Sequence, residues 1–472
     1  MLFNTYTFVI FFTVVLFLHN LPFHWRTKKF NLLWASYLFY AAWNPPFVFF
    51  LILSTITDWL VAKKIYLAKS KSAKRYWLFI SLGINLGLLG YFKYSNFVLE
   101  TLGIWLTAAG IPYQPARLDI ILPVGISFYT FQTLSYTLDI YKGKMKPWDS
   151  FLDFAMYVTF FPQLVAGPIV RAAQFLPQCK QWDKPSTRQL GWGLTLMLIG
   201  IFQKQVLADG VLAPYVDMAF SVNNLPSPIT AWAGSFAFSG QLLFDFAGYS
   251  TTAIGAAMCL GFHLPDNFNS PFAAIGFIDF WKRWHISLSS WLRDYVFYSL
   301  PGGRRSIRRI QLNSVITMIV SGLWHGASWN FVIWGALNGM YQAVEIELKR
   351  RSTNKVLWKK IHVQFFLAAL TFTLVVFTSV FFRTESFEHA MRYYSSMLGF
   401  SEHNFYLLYR DIVLISVVMG TIFIVHWMLR NTTLEAVAVR TPWWLKSFLI
   451  AIMIISIVMM PGEERAFIYF QF

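Results

Sequence analysis

The sequence consists largely of apolar segments, and this feature limits what the chain can fold into. A helix needs about 20 apolar residues to cross the hydrocarbon core of a bilayer. Candidate spans are 2–21, 30–44, 47–62, 76–99, 118–140, 151–169, 189–213, 229–247, 249–264, 311–324, 328–347, 362–382, 408–429 and 443–460. Several are short or interrupted by glycine and proline, which is typical of half-helices and re-entrant segments covered by protein or water. We therefore expect an all-α, multi-spanning membrane protein that forms a single domain over residues 1–472.

Composition and charge support a membrane location. Charged residues make up 13% of the chain, about half the share found in soluble domains. The formal net charge is +17, but the basic residues cluster in short loops between apolar segments, which is typical of cytoplasmic loops rather than of a nucleic-acid surface. Counting spans back from the first basic loop predicts an extracytoplasmic N-terminus. The basic clusters are 63–75, 349–360 and the group Arg304, Arg305, Arg308 and Arg309.

The segment 277–303 does not fit lipid. Its pattern predicts one helix that ends at Pro301, with His285 on the same face as Trp281. A lipid-facing helix would not tolerate the polar stripes on its other faces, so we expect the helix to face protein or water inside the bundle. The alternative is an amphipathic helix at the cytoplasmic interface. The polar stripes contain Lys282, Ser289 and Arg293, with Arg283, Ser287, Ser290 and Asp294 beside them.

His325 lies in an otherwise apolar span. An ionisable group is expensive there and is usually functional, although a single histidine on an apolar face is more often a structural hydrogen-bond donor. The neighbouring G-x-x-x-G pairs, Gly322/Gly326 and Gly335/Gly339, predict close packing between helices. The remaining histidines have no metal-ligand spacing, so no metal site is expected.

One further ionisable residue, Asp245, lies inside a predicted span. A buried carboxylate without a partner is costly. We expect Asp245 to pair with a basic residue of the 282–293 segment and to stabilise the bundle.

Several sequence blocks resemble those of the membrane-bound O-acyltransferase family, in particular its bacterial alginate O-acetyltransferase-like branch. They follow one another along most of the chain. The blocks are PVGISFYTFQTLSY (123–136), FFPQLVAGPIVR (160–171), FDFAGYS (244–250), LPDNFNSPF (264–272), DFWKRWHISLSSWLRDY (279–295), GLWHGASWNFVIWG (322–335) and FIYFQF (467–472).

The resemblance implies a ring of transmembrane helices, with half-helices, around a central tunnel. It also implies that His325 is the catalytic base and His285 the second active-site residue. A histidine in an apolar setting is neutral and therefore able to accept a hydroxyl proton during acyl transfer, while His285 orients the acceptor or donates to the developing oxyanion. Candidates for substrate or donor binding are Lys282, Ser289, Arg293, Asp294 and Trp324.

The implied substrates are a thioester donor and a hydroxyl acceptor. Acetyl-CoA or another acyl thioester is the expected donor, and no tightly bound cofactor is expected. Lys282 and Arg293 are candidates to attract an anionic group of the donor, with ion pairing to Asp279 or Asp294 as the equally weighted alternative. Direct transfer is the expected route, because the sequence shows no evident protein nucleophile. Tyr469 is a candidate acyl carrier, although an aromatic anchor at the membrane interface is the simpler interpretation.

The leading hypothesis is a bacterial inner-membrane enzyme that moves a short acyl group, acetyl above all, towards an extracytoplasmic polysaccharide. A separate periplasmic or extracellular transferase of the SGNH, esterase-like type is the expected partner. The alternatives are a proton-coupled transporter or flippase of a saccharide precursor, for which we find no inverted repeat, and a non-catalytic scaffold.

Overall fold

The computed structural model describes residues 1–302, 306–352, 357–460 and 465–470. Within these ranges the secondary structure is helical, and strand-like pairing is limited to an isolated parallel bridge between Pro226 and Phe405. The predicted all-α fold is therefore confirmed. Arg304, Arg305 and part of the basic loop 349–360, which entered the topology prediction, lie outside the described residues.

The chain divides into two compact units. Unit 1 comprises residues 1–197 and 252–265. A five-residue π-helical turn, Gly90–Tyr94, lies between two of its helices. Its helices are α1 Tyr6–Asn20, α2 Trp25–Ala41, α3 Phe47–Leu67, α4 Lys71–Leu89, α5 Ser95–Ala108, α6 Ile126–Tyr141, α7 Phe151–Thr159, α8 Phe161–Leu164, α9 Ala172–Lys180 and α10 Thr187–Ile201, which continues into unit 2.

Unit 2 comprises residues 198–251 and 266–472. It contains the π-helical segment Phe202–Leu212 and short 3₁₀ turns at Pro271–Ala273, Phe297–Ser299, Leu357–Lys359 and Ile468–Phe470. Its helices are α11 Ala213–Ala219, α12 Pro228–Cys259 (which ends in unit 1), α13 Phe277–Phe280, α14 Ile286–Tyr295, α15 Ile307–His325, α16 Trp329–Arg351, α17 Ile361–Arg383, α18 Phe387–Met397, α19 Tyr409–Leu429, α20 Leu434–Arg440 and α21 Trp443–Met459.

Three continuous helical stretches among the described residues are long and apolar enough to cross a membrane. They are Thr187–Ala219, Ile361–Arg383 and Tyr409–Leu429. Two shorter apolar helices, Tyr6–Asn20 and Trp443–Met459, resemble them in composition. The ring of transmembrane helices and its central tunnel stay predictions. The organisation of the chain as a single domain also stays a prediction.

The two spans predicted at 229–247 and 249–264 are wrong as separate elements, because α12 runs through both of them as one helix of 32 residues. Gly248, which lies between the two predicted spans, is a packing position within unit 2. A Cβ at Gly248 would lie 2.6 Å from the carbonyl oxygen of Gly200 and 2.9 Å from the amide nitrogen of Lys204. The glycine therefore permits close backbone approach without ending the helix.

A buried polar network joins α3 and α4 of unit 1. Asp58 is fully buried and accepts hydrogen bonds from Ser81 Oγ at 2.5 Å and from Asn85 Nδ2 at 2.9 Å. Asn85 in turn accepts a hydrogen bond from Ser54 Oγ at 2.6 Å. Because burial without partners would be costly, these bonds make the carboxylate a link between helices.

In unit 2, α15 and α16 form a closely packed helical hairpin. A Cβ at Gly322 would overlap the carbonyl oxygen of Phe331, and one at Gly335 would overlap that of Met318. The buried face of α15 also carries small polar residues such as Ser321. The close packing predicted from the glycine spacing is confirmed.

Replacing Gly335 by alanine should destabilise the protein by about 1–3 kcal/mol, because the new methyl group meets backbone that cannot move aside. Gly420→Ala in α19 is the matched control, since a Cβ there meets nothing within 4 Å. The control should be neutral or stabilising by up to about 1 kcal/mol, because alanine favours a helix over glycine. Thermal unfolding of the purified variants in detergent measures both, and equal melting temperatures for the two would contradict the packing argument.

Candidate active site

The polar segment around His285 is broken rather than continuous. The helix α13 ends at Phe280, the chain turns, and α14 begins at Ile286. His285 lies immediately before α14 with φ 44° and ψ 55°, a left-handed conformation that is uncommon for a residue other than glycine. The single helix predicted over 277–303 is therefore wrong.

The side chain and backbone of Asn267 hold this break. Its carbonyl oxygen accepts the amide hydrogen of Ile286 at 2.9 Å. Its Oδ1 accepts from Ser287 N at 3.1 Å and from Ser287 Oγ at 2.9 Å. These bonds satisfy amide groups at the start of α14 that have no partner within the helix. The break is therefore stabilised by a residue outside the segment.

Asn267 also orients the imidazole of His285. Its Oδ1 lies 3.3 Å from His285 Nδ1, and both side chains are buried. Since this oxygen already accepts from the amide of Ser287, it is the carbonyl oxygen of the side chain, and Nδ1 must be the donor. In a neutral ring, Nε2 is then the acceptor nitrogen.

His325 is the last residue of α15 and is 2% exposed. Its ring centroid lies 6.4 Å from that of His285, so the structure brings together the two histidines that the sequence singled out. Uncharged aromatic rings surround the imidazole of His325 closely. The ring centroids of Trp324, Trp334, Phe382 and Tyr469 lie 5.0, 5.2, 5.2 and 5.4 Å from that of His325.

A small cavity of about 30 Å³ lies beside His325 within unit 2. Most of its wall is apolar, with Ser239, Asn338, Thr378 and Ser379 as hydrogen-bonding groups in addition to His325 and Tyr469. The rings of Phe272, Phe280, Trp281, Trp284, Trp334 and Phe382 narrow it. A cavity of this size has room for a small group.

Tyr469 packs inside unit 2 next to His325, a position that the simpler interpretation as an aromatic anchor does not explain. It lies in the C-terminal 3₁₀ turn Ile468–Phe470 and lines the cavity beside His325. Its ring also packs against Phe246 of α12, with 4.7 Å between ring centroids. The contacts bring a phenol ring into the histidine site from a segment 144 residues further along the chain than His325.

Three of the candidate binding residues, Lys282, Ser289 and Arg293, line a second and larger cavity of about 470 Å³. Trp281 contributes to the walls of both cavities. Arg293 Nε donates to Asp294 Oδ1 at 2.9 Å, which is one of the ion pairs expected as the alternative to donor binding. Asp294 does not line the cavity.

Trp324 lies apart from that group, with its ring centroid 5.7 Å from His285 and 5.0 Å from His325. The structure thus divides the predicted binding residues between the two histidines and the larger cavity.

Asp245 has a different partner from the one predicted. It forms an ion pair with Lys204 of the π-helical segment rather than with a basic residue of 282–293. Lys204 Nζ also donates to Asp209 at 2.9 Å. Asp245 Oδ2 accepts the amide hydrogen of Ile468 at 2.7 Å. Lys204, the partner of Asp245, lies in the π-helical segment. A regular helical periodicity in the sequence does not predict this pairing.

Sequence reasoning missed Asn267 and Phe246 as site residues. Both lie in quoted blocks, LPDNFNSPF and FDFAGYS, so the signal was present without an assigned role. Phe246 packs edge-on against His285 with 4.6 Å between ring centroids. Among the residues that the structure describes, no group of His, Cys, Asp and Glu side chains is arranged to hold a metal ion.

Comparison with known proteins assigns the chain to a family. The sequence model of the membrane-bound O-acyltransferase family matches residues 148–382, which include both histidines. Full-length relatives extend the similarity over most of the chain. The protein therefore belongs to the membrane-bound O-acyltransferase family and is a membrane acyltransferase.

The relatives modify different polymers, as their names state. A probable alginate O-acetylase AlgI of Pseudomonas aeruginosa is 38% identical over 382 residues, which is 79% of this chain and 70% of the relative. The peptidoglycan O-acetyltransferase of Helicobacter pylori is 36% identical over 431 residues, 84% of this chain and 80% of the relative. A teichoic acid D-alanyltransferase of Bacillus subtilis is 29% identical over 247 residues, 49% of this chain and 60% of the relative.

Asn267→Ala should lower acyl transfer about tenfold, because it removes the acceptor that orients His285 and leaves buried donors unsatisfied. Asn269→Ala is the matched control. Asn269 holds Arg283 through its backbone, whose amide donates to Arg283 O at 2.9 Å, so the substitution retains that contact. Turnover of both variants in isolated membranes, corrected for expression, is the measurement. Equal turnover would show that the orientation of the His285 imidazole does not depend on Asn267.

Proposed function

We propose that this protein transfers a short acyl group, acetyl above all, from a cytoplasmic thioester to a hydroxyl on the way to an extracytoplasmic polysaccharide. The observation that carries the proposal is the position of His325, buried beside His285 and Tyr469 on a small aromatic cavity. This combination offers a base, a hydroxyl and room for a small acyl group within one unit.

His325 is the proposed general base. Attack of a hydroxyl on a thioester forms a C–O bond and breaks a C–S bond, so the hydroxyl proton must leave and the thiolate must receive one. A neutral imidazole among apolar rings accepts the first proton and returns it to the sulfur. His285 lies close enough to orient the hydroxyl or to stabilise the oxyanion that forms on the thioester carbonyl.

We further propose that the first hydroxyl to be acylated is that of Tyr469. Its ring lies 5.4 Å from that of His325, and both line the same cavity. In the first step Tyr469 attacks the thioester carbonyl, His325 accepts the phenol proton, and the proton passes to the departing thiolate. In the second step the acceptor hydroxyl attacks the tyrosyl ester, and its proton returns to the phenolate through His325. This two-step route replaces the direct transfer that the sequence favoured.

The larger cavity is the proposed donor site. It is roomy and carries two cationic side chains, Lys282 and Arg293, at its wall. Cations there suit the phosphates of coenzyme A or of a carrier-bound thioester. Trp281 separates this cavity from the one at His325, so the thioester end of the donor would pass beside the indole.

The short acyl group follows from the size of the inner cavity. A volume of about 30 Å³ walled by six large aromatic rings admits a two-carbon group and excludes a long chain. The names of the P. aeruginosa and H. pylori relatives, both O-acetylating proteins, support acetyl. The three relatives act on alginate, peptidoglycan and teichoic acid, which supports a cell-envelope polymer as the final acceptor.

The membrane in which the protein lies and its partner protein are also part of the proposed function. We propose a bacterial inner membrane location with an extracytoplasmic N-terminus, as the basic loops predict. A separate extracytoplasmic transferase of the SGNH, esterase-like type would take the acyl group to the polymer. The connections between the described helices support the need for such a partner. These connections are loops, rather than domains that could bind a polymer.

His325→Ala should lower acyl transfer by at least about a hundredfold, because a general base contributes about 10²–10⁴-fold. His403→Ala is the matched control, since His403 is exposed in a loop. Release of free thiol from acetyl-CoA by proteoliposomes, together with acetylated polymer in cells, measures the effect. Unchanged transfer in His325→Ala at normal expression would rule out the proposed reaction.

Tyr469→Phe should abolish transfer while leaving expression unchanged, because it removes one hydroxyl oxygen and keeps the ring contacts. Wild-type protein trapped with donor and without acceptor should carry an acyl mass on the peptide that contains Tyr469. Tyr409→Phe is the control, since Tyr409 is 83% exposed. Full activity of Tyr469→Phe would return the mechanism to direct transfer.

A further inference from the structure

Unit 2 contains a buried charge network that has no part in the proposed acyl transfer steps. Lys204 of the π-helical segment contacts two carboxylates, Asp209 and Asp245. The three residues are between 2% and 5% exposed. Because burial of charge is costly, such a network needs a full set of partners.

Charge balance does not require both carboxylates. Lys204 already has Asp209 as a partner, with 2.9 Å between Nζ and Oδ1. Asp245 uses its Oδ1 for Lys204 and its Oδ2 for the amide of Ile468 at 2.7 Å, a bond between residues 223 positions apart. The second carboxylate therefore serves the C-terminal segment as well as the lysine.

This amide belongs to the residue next to Tyr469. On α12, Asp245 binds the backbone of the C-terminal turn, and the adjacent Phe246 packs on the Tyr469 ring at 4.7 Å and on His285 at 4.6 Å. Two successive residues of one helix thus hold the backbone and the ring of the same turn. A shift of Ile468 would move Tyr469 relative to His325.

A second ion pair holds the other end of the segment. Asp217 accepts from Arg465 Nη1 at 2.5 Å and from Arg383 Nη2 at 3.1 Å. Asp217 is 43% exposed at its side chain, so screening weakens this pair. The buried bond to Asp245 is the stronger of the two anchors, because water does not compete with it.

We propose that Asp245, held in place by Lys204, is the positioning residue that seats Tyr469 against His325. The proposal rests on the acyl-carrier role of Tyr469 given above. Asp245 touches no reacting atom. It acts by fixing the backbone amide of Ile468, and loss of this bond lets the C-terminal turn leave the site.

Labelling of a thiol next to the turn tests the seating directly. Cys179 and Cys259 are buried, so Ala466→Cys introduces an accessible thiol two residues before Ile468. In this background, Asp245→Ala should raise the rate of maleimide labelling at position 466 about tenfold or more, since a hydrogen bond to a charged group is lost. Asp245→Asn retains an acceptor and should label more slowly than Asp245→Ala.

A second pair of variants removes the donor instead of the acceptor. Ile468→Pro deletes the amide hydrogen and leaves the network of Lys204, Asp209 and Asp245 intact, whereas Ile468→Val keeps the hydrogen and serves as the control. Ile468→Pro should label as fast as Asp245→Ala. If Asp245→Ala does not fold, the two variants at Ile468 carry the test.

Kinetics separate positioning from general destabilisation. Asp245→Ala and Ile468→Pro should each lower kcat about tenfold with the KM for acetyl-CoA within about twofold, and the double variant should be no worse than either single one. Additive losses, or labelling at position 466 that stays at the control rate in both variants, would overturn the proposal. Absence of acyl transfer in the unsubstituted protein would instead count against the proposed function, and the labelling result would still decide on the seating.

Discussion

Polar groups buried among apolar helices must find their partners within the chain, and the active site depends on this constraint. Where water is excluded, an unpaired amide or carboxylate costs several kcal/mol, so each such group ties together segments that are distant in sequence. Asn267 satisfies the start of α14 and orients His285. Asp245 satisfies the amide of Ile468 and so holds the C-terminal turn. The same bonds that offset burial therefore also set the positions of His285 and of the C-terminal turn.

The site is assembled from four separate parts of unit 2. His285 comes from a broken helix, His325 from the end of a tightly packed hairpin, and Tyr469 from the C-terminal turn. Phe246 of α12 contacts the rings of both His285 and Tyr469. This arrangement surrounds the imidazole of His325, the proposed base, with apolar rings and leaves a small cavity beside it.

Much of the fold could be predicted, because apolar length and glycine spacing are local properties of the sequence. The hairpin of α15 and α16 formed as the G-x-x-x-G pairs indicated. The two spans predicted on either side of Gly248 form one helix, since a glycine that ends a helix and one that admits a neighbouring backbone look alike in one sequence. Short helices such as Phe387–Met397 were missed because they are too polar to resemble a span.

The sequence by itself determined the membrane class, the family and the choice of His285 and His325, because apolar length, composition and motif blocks are visible without coordinates. The tertiary structure decided the backbone break at His285, the partner of Asp245 and the packing of Tyr469 next to His325. The physical reason is that these features depend on hydrogen bonds between residues that are distant in sequence. Asn267 and His285 are 18 positions apart, and Asp245 and Ile468 are 223 positions apart. Helical periodicity relates only residues within a few turns, so it does not reveal which distant group satisfies a buried one.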